Sequence, residues 1–263
     1  MTVDIREASD LFWTAWQQRA VIDEVPAALR PRTRAEGYAI QALLDLRSSA
    51  RPAGWKIAAT SAAGQRHINV GGPMAGRILT ERLFDDGAVV SLAGVRMRVA
   101  EPEFVFVIGD TIAPRAQPYR REEVMSHVAD LRLGIEVPDS RFASFTTVGE
   151  ALLIADNACA NDYVLGPVVD SPWRNVNLAE HRVVATVKGL TRSYSREGVG
   201  GNVLGDPMIA LEWLVNELSS HGFTLHAGQF VTTGTCMVPL EVEPGDSVSG
   251  DYGDFGRVRC EFV

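Results

Sequence analysis

Ala100-Glu101-Pro102-Glu103-Phe104-Val105-Phe106-Val107-Ile108 sets two carboxylates, one residue apart, directly against an apolar run. The run is rich in aromatic and β-branched residues, which favours a strand. Side chains alternate across a strand, so Glu101 and Glu103 fall on one face. Like charges side by side repel, and a buried pair needs a cation or a proton between them. A hard divalent ion such as Mg2+ or Mn2+ supplies that. The same pattern also fits an exposed strand end with two solvated glutamates.

Three other stretches carry chemistry-bearing residues. Downstream, Gly134-Ile135-Glu136-Val137-Pro138-Asp139-Ser140-Arg141 ends a second apolar strand on a third carboxylate. Glu136 there suits a facial metal site with open positions, while Asp139 and Arg141 also fit a simple turn pairing. Upstream, Gly54-Trp55-Lys56-Ile57-Ala58-Ala59-Thr60-Ser61 places one lysine in an apolar segment. A buried ammonium is costly unless it meets an anion, so Lys56 is either an acid/base or a carboxylate anchor, or it snorkels to the surface. Near the end, Thr232-Thr233-Gly234-Thr235-Cys236 follows an apolar strand. Its backbone N–H groups and hydroxyls suit a carboxylate, and an ordinary turn suits it as well.

The N-terminal third reads as helical. Ile5, Leu11, Phe12, Ala15, Trp16 and Ala20 recur near helical spacing, and Thr33-Arg34-Ala35-Glu36 opens a second helix as a capping box carrying Tyr38, Ile40, Leu43, Leu44 and Leu46. From about residue 88 the texture turns to short β runs punctuated by Gly and Pro. Two helices interrupt them, one from a capping box at Thr147-Val148-Gly149-Glu150 and one from Asp206-Pro207 to Gly222. The expected fold class is α+β. A mainly helical part, 1–85, carries the lysine segment, and a mainly β part, 86–263, carries the metal site. The two form one functional unit.

Composition narrows the function. With 263 residues, 46% of them hydrophobic, the chain has material for a sizeable core. A net charge of −8 leaves no basic excess for nucleic acid or an anionic membrane. No apolar run reaches the ~20 residues of a membrane span. The opening MTVDIREASD has neither the basic nor the apolar part of a secretory signal. Cys159, Cys236 and Cys260 form no CxxC pair, and the expectation is a reduced, cytoplasmic protein. GxSxG, HExxH, P-loop and GxGxxG patterns are missing, and the five histidines lack paired ligand spacing.

Taken in order, these pieces resemble the 2-keto-4-pentenoate hydratase family, in the hydratase/decarboxylase branch of the fumarylacetoacetate hydrolase superfamily. The resemblance covers nearly the whole chain. It rests on Glu36-Gly-Tyr-Ala-Ile-Gln41, Gly54-Trp-Lys56 with Thr60-Ser61 and Gln65, Glu101-Pro-Glu103, and Glu136-Val-Pro-Asp-Ser-Arg141. It continues in Asp156-Asn-Ala158, Ala227 to Thr235, Pro244-Gly-Asp246 and Phe255-Gly256. The resemblance implies a distorted, largely closed β fold with N-terminal helices, forming a homo-oligomer. It implies that Glu101, Glu103 and Glu136 bind Mg2+ or Mn2+, which chelates a small 2-oxo acid and stabilises its enolate. Lys56 and Asp139 are the expected catalytic residues, Asp139 also orienting the metal ligands or the substrate. Arg141, Gly234, Thr235, Gln65 and Met74 are expected to line the substrate site.

Two departures bear on the reaction. Pro73-Met74-Ala75-Gly76 stands where the resembled family carries an acid in a Pro-Asp-Phe-Gly-like turn, and Cys159-Ala160-Asn161 replaces a Ser-rich stretch. The first reading is a hydro-lyase adding water to a 2-hydroxy-2,4-dienoate. Its rival is decarboxylation of an unsaturated 2-oxo dioate, or C–C hydrolysis, which the missing acid favours. A third reading, a non-catalytic partner subunit, requires Lys56 or the carboxylates to be non-functional.

Overall fold

The computed structural model describes residues 3–263. Helix α1 (Ile5–Gln18) begins at Asp4, whose side chain accepts from the Glu7 amide at 3.0 Å. Helix α2 (Arg34–Ala42) is capped by the Thr33 hydroxyl as expected. The returning arm of the cap lands one residue early, because Glu36 accepts from the Arg32 amide. A 3-10 turn follows at Leu43–Leu46, and the tighter winding rotates Leu46 away from the core to 81% exposure. Ala8, Phe12, Ala15, Ile40, Phe142 and Leu152 close one apolar cluster around these helices.

The chain then enters strand β1 (Gly54–Ala58), a short α3 (Ala62–His67), β2 (Met74–Ile78), β3 (Leu83–Asp85) and β4 (Ala88–Val90). Next come β5 (Val99–Ile108), α4 (Arg121–Ser126), β6 (Val128–Val137), α5 (Glu150–Ala155) and β7 (Asp162–Val168). The remainder is β8 (Arg182–Lys188), β9 (Ser193–Val199), α6 (Pro207–Ser220), β10 (Phe230–Thr235), β11 (Leu240–Glu241), β12 (Ser247–Asp251) and β13 (Arg257–Phe262). Helix α6 starts as expected, with Asp206 accepting from the Met208 amide at 2.8 Å and Pro207 in the first turn. The expected box at Thr147 does not form. Gly149 is the residue before α5, the Thr147 hydroxyl turns back to the Ser144 carbonyl, and Glu150 pairs with Arg34 at 2.6 Å.

Among the described residues the strands form two sheets. The larger runs β2-β1-β10-β5-β6-β7-β3, with β11 beside β5, and the smaller runs β4-β13-β12-β8-β9. The two ends of the large sheet, β2 and β3, are joined by only four residues, Leu79 to Arg82. A path of seven strands whose ends are that close must curl back on itself. Register shifts between Thr232 and Thr235, Val107 and Ile108, and Arg132 and Gly134 help it bend. The division expected at residue 85 is therefore no break in the structure. Strands β1, β2 and β3 are hydrogen-bonded members of the large sheet, so the lysine segment and the carboxylate strands share one framework.

The curl has two faces with different tasks. Pairing places Lys56 beside Thr232, Thr232 beside Val105, Glu101 beside Glu136, and Glu136 beside Tyr163. Directly paired residues share a face, and residues two apart on a strand do too. All of these side chains therefore point to the inside. The same face holds a small apolar cluster of Ile78, Val105, Tyr163 and Phe230. The outer face supplies Trp55, Phe104, Phe106, Leu131, Leu133 and Val164 to the main core, where the second sheet and α6 pack with Val183, Val187, Val248, Val258 and Leu214.

Candidate active site

Glu101 and Glu103 on β5 and Glu136 on β6 each offer a carboxylate oxygen within 4.8 Å of the others. Glu103 and Glu136 are buried, and Glu101 is half-buried. The Lys56 ammonium lies 3.0 Å from Glu136 Oε1 and donates to the Ala158 carbonyl, also at 3.0 Å. Strands β1, β5 and β6, with β10 between the first two, thus bring three carboxylates and one lysine to one point.

The ammonium is held charged. Burial works against the charge on Lys56, but Glu136 and then Glu101 outweigh it, and its pKa stands above the ordinary lysine value. The carboxylates are pushed the other way. Desolvation, then the charge of Glu136, raises Glu101 to about 7 against the pull of Lys56. Burial and the same repulsion raise Glu103 well above its usual range. Burial also raises Glu136, and Lys56 opposes the shift. One lysine cannot neutralise three carboxylates.

Glu103 is fixed by a relay the sequence did not reveal. Tyr163 donates to Thr232 Oγ1 at 2.7 Å, Thr232 donates to Glu103 Oε2, and the Gly234 amide reaches the same oxygen at 3.1 Å. Gly134 leaves the space that the Tyr163 hydroxyl needs, since a Cβ there would collide with it. Gly234 has φ +101 and a Cβ there would meet Thr60, so any other residue would be strained as well as crowded. Tyr252, in the turn after β12, donates to the Glu103 carbonyl at 3.0 Å.

The lysine's other partner is positioned by unusual backbone. Asn157, Ala158 and Cys159 have φ of 57, 51 and 60. Left-handed residues other than Gly cost ~1–2 kcal/mol each, so the run needs support. Asn157 supplies it by accepting from the Arg77 amide at 2.7 Å and donating to the Arg77 carbonyl at 2.9 Å. Its side chain copies a strand-pairing pattern along β2, and the turn aims the Ala158 carbonyl at Lys56. Cys159 is pushed up to about 12, first by burial and then by Asp156, so its thiol is no nucleophile at neutral pH.

Several expected site residues are committed elsewhere. The Asp139 carboxylate accepts from the Arg96 and Met97 amides at 2.9 and 3.0 Å, holding the loop before β5. The Arg141 guanidinium is paired with Asp156, donates to the carbonyls of Asp139 and Ala160 at 3.1 and 3.0 Å, and lies 4.7 Å from the Trp16 ring. Four of its five N–H donors go to protein acceptors, so Arg141 is anchored to the segment around Asp156 and away from the carboxylate cluster. The turn pairing weighed from sequence is absent too, because Arg141 reaches the Asp139 backbone and not its carboxylate. Met74 is fully buried opposite Ala58, on the Lys56 face of β2, and its thioether makes no hydrogen bond there. Gln65 donates to the Ala59 carbonyl at 3.1 Å, and the Thr235 hydroxyl donates to the Met237 carbonyl at 3.0 Å. Of the substrate-side candidates, Gly234 alone touches the carboxylate cluster, through its amide.

The carboxylate cluster fits a divalent metal. Glu103 Oε1 and Glu136 Oε2 are buried without a hydrogen-bond partner, which is costly unless a cation meets them. An all-oxygen donor set selects a hard ion.

Comparison with known proteins agrees with this picture. The fumarylacetoacetate (FAA) hydrolase C-terminal profile matches residues 75–263. The chain is 30% identical over 233 residues to a 2-keto-4-pentenoate hydratase of Paraburkholderia xenovorans (strain LB400), covering 86% of this chain and 83% of that one. It is 28% identical over 235 residues to a 4-oxalocrotonate decarboxylase of Pseudomonas putida, covering 88% and 86%. It shares its fold with the 4-oxalocrotonate decarboxylase from Pseudomonas putida G7 solved with magnesium and adipate. That superposition has a TM-score of 0.85 at 23% identity and covers 98% and 97% of the two chains. The chain belongs to the fumarylacetoacetate hydrolase family, has its α+β fold, and is an enzyme of the hydratase and decarboxylase group.

Proposed function

We propose that this enzyme is a hydro-lyase that adds water to a small 2-hydroxy-2,4-dienoate, the enol of an unsaturated 2-oxo acid, with Mg2+ or Mn2+ held by Glu101, Glu103 and Glu136. The observation that carries this reading is a charged Lys56 3.0 Å from Glu136 within a cluster of three carboxylates. The bound ion supplies Lewis acidity toward the 2-oxo and carboxylate oxygens. Lys56 holds a proton at Nζ, ready for the far carbon of the dienol, while Glu136 and the Ala158 carbonyl keep that proton in place. The resulting 2-oxo-3-enoate takes hydroxide at C4 and a proton at C3, giving a 4-hydroxy-2-oxo acid. Thr232, Tyr163 and the Gly234 amide orient Glu103 throughout.

A second reading, decarboxylation of an unsaturated 2-oxo dioate, is favoured by one residue. Met74 brings a thioether where an acid would help deliver water, and it lies buried in the core. The test is to supply Mg2+ or Mn2+ together with 2-hydroxypenta-2,4-dienoate or an unsaturated 2-oxo dioate, and to identify products by NMR. A 4-hydroxy-2-oxo acid supports hydration, and CO2 release with a shortened 2-oxo acid supports the second reading. No conversion of either substrate by the metal-loaded protein overturns both. The proposal includes a homo-oligomer, for which exposed Leu46, Leu190 and Val238 offer apolar contacts, and a cytoplasmic setting, which suits three buried free thiols.

A further inference from the structure

Strand β2 ends the large sheet, with β1 on one side only. The backbone groups of Ala75 and Arg77 therefore turn to the open edge, where side chains from elsewhere meet all of them. At Ala75 the amide donates to the Tyr38 hydroxyl at 3.0 Å, and the carbonyl accepts from Gln41 Nε2 at 2.9 Å. At Arg77 the Asn157 side chain takes both the amide and the carbonyl. Tyr38 and Gln41 stand one turn apart on α2, so this helix seals the edge beside the turn 157–159. Gly76 lies between. A Cβ there would sit 2.5 Å from the Asn157 carbonyl oxygen and 3.1 Å from the Lys56 stem. The turn therefore rests directly on β2, next to the lysine.

Gln41 reaches further than the strand. It is fully buried, and its Nε2 also donates to the Ile154 carbonyl at 2.9 Å, in the last turn of α5. Its Oε1 accepts from Arg77 Nη1 at 2.5 Å. A guanidinium only donates, so the amide oxygen must face it and Nε2 must face the two carbonyls. Arg77 is itself fixed, by Asp45 at 2.6 Å and by the Trp55 and Phe223 rings at 4.4 and 4.8 Å. One amide thus joins α2, the end of α5 and the two residues of β2 that flank Gly76. The short segment from Ile154 to Ala158 is gripped twice, by Gln41 at Ile154 and by the Arg77 backbone at Asn157.

We propose that Gln41 is a positioning residue for the reaction: it locks the turn 157–159 onto β2, and the Ala158 carbonyl of that turn holds the Lys56 ammonium where it delivers its proton. The inference rests on Lys56 as the proton donor of the proposed hydration. Gln41 makes no hydrogen bond to Lys56 or to the three carboxylates, and it acts through the backbone of residues 154–158. The Ala158 carbonyl accepts from Lys56 at 3.0 Å, which fixes the direction of the ammonium as well as its distance. Displacing a reacting group by about 1 Å can cost ~10²-fold in rate.

Lys56 and Lys188 are the only lysines in the sequence, and Lys188 is exposed. NMR of the Mg2+-loaded full chain labelled with nitrogen-15 lysine therefore reads the Lys56 ammonium directly. In the parent its protons should exchange with solvent more slowly than those of Lys188, by about tenfold or more, the scale of one buried hydrogen bond. Gln41→Glu keeps the acceptor for Arg77 and removes the donors to Ala75 and Ile154. Asn157→Gly tolerates the left-handed backbone and removes the hold on Arg77. Each variant should speed Lys56 exchange by about tenfold and leave Lys188 unchanged. On 2-hydroxypenta-2,4-dienoate each should lower kcat by about 10- to 100-fold with KM unchanged. A smaller folded fraction would lower kcat without altering the exchange rate, and thermal melts establish folding. Parent Lys56 protons exchanging as fast as those of Lys188 overturn the hold on the ammonium, whatever the variants do. An unchanged Lys56 signal or an unchanged kcat in Gln41→Glu overturns the role of Gln41. An unchanged signal in Asn157→Gly overturns the route through the turn. Parent-like turnover in Lys56→Met is a separate failure, which overturns the proton-donor reading and this inference with it.

Discussion

The hydroxyl of Thr232 donates to Oε2 of Glu103 and leaves Oε1 as that residue's free, buried acceptor. The two residues are 129 apart in sequence, and their contact decides which oxygen of Glu103 a metal can use. Thr232→Val keeps the shape and removes the donor. Divalent-ion affinity should fall by about 10- to 100-fold, the usual effect of losing a residue that orients a ligand. Tyr163→Phe, one step further out, should cost less. Calorimetry with Mn2+ measures both. Affinities equal to the parent's would show that Glu103 needs no such orientation.

The raised carboxylates make stability depend on pH in a definite sense. Glu101 is lifted from 4.5 to about 7, and Glu103 and Glu136 are lifted as well. The folded state therefore binds these protons more tightly than the unfolded chain does. Their contribution to stability is complete below about 4.5 and is lost as pH rises through 7. A divalent ion binds the deprotonated form and reverses that loss. The gain in Tm from Mg2+ over EDTA should be small near pH 5.5 and large near pH 8, and Glu103→Ala should remove it. A gain independent of pH would contradict the buried, repelling triad.

Replacing Lys56 with Met keeps much of the stem and removes the charge. Turnover on the true substrate should drop by ~10² or more, the usual scale for a positioned acid/base group. Metal affinity should not fall, because the substitution removes a cation from beside Glu136. Steady-state kinetics and calorimetry on the same preparation separate the two effects. Turnover within a few-fold of the parent would leave Lys56 as a counter-charge only.

Met74→Asp asks whether an acid at this position promotes hydration. Met74 is fully enclosed in the apolar core, so a carboxylate there should cost at least about 3 kcal/mol and lower Tm clearly. If the variant stays folded, hydration of 2-hydroxypenta-2,4-dienoate should rise relative to exchange of the α-proton of simple 2-oxo acids. A folded variant with an unchanged ratio would separate position 74 from water delivery.

Much of this site was legible because alternation is a local property. Glu101 and Glu103 share a face whatever strand lies beside them. The start of α6 was readable at Asp206-Pro207 for the same reason, since a cap is set by neighbouring residues. What the sequence did not show was of another kind. Thr147 and Glu150 had the spacing of a capping box, yet Glu150 was drawn to Arg34, which no local pattern contains. Arg141 had the chemistry of a substrate anchor, and Asp156 claimed it.

The sequence by itself determined which residue types reach the inner face and that the carboxylates and one lysine needed an explanation beyond packing. It also determined the α+β class, because strand-length apolar runs and capped helices are written in short spacings. Only the tertiary structure decided who meets whom. Lys56 pairs beside Thr232, and Glu101 beside Glu136, through strand registers set by the whole curled sheet. The Ala158 carbonyl faces Lys56 because the left-handed run 157–159 is anchored by two hydrogen bonds from the Asn157 side chain to the Arg77 backbone of β2. Such pairings join residues far apart in the chain. Their energy comes from burial and hydrogen bonds that exist only once the sheet has closed, so no single stretch of sequence encodes them.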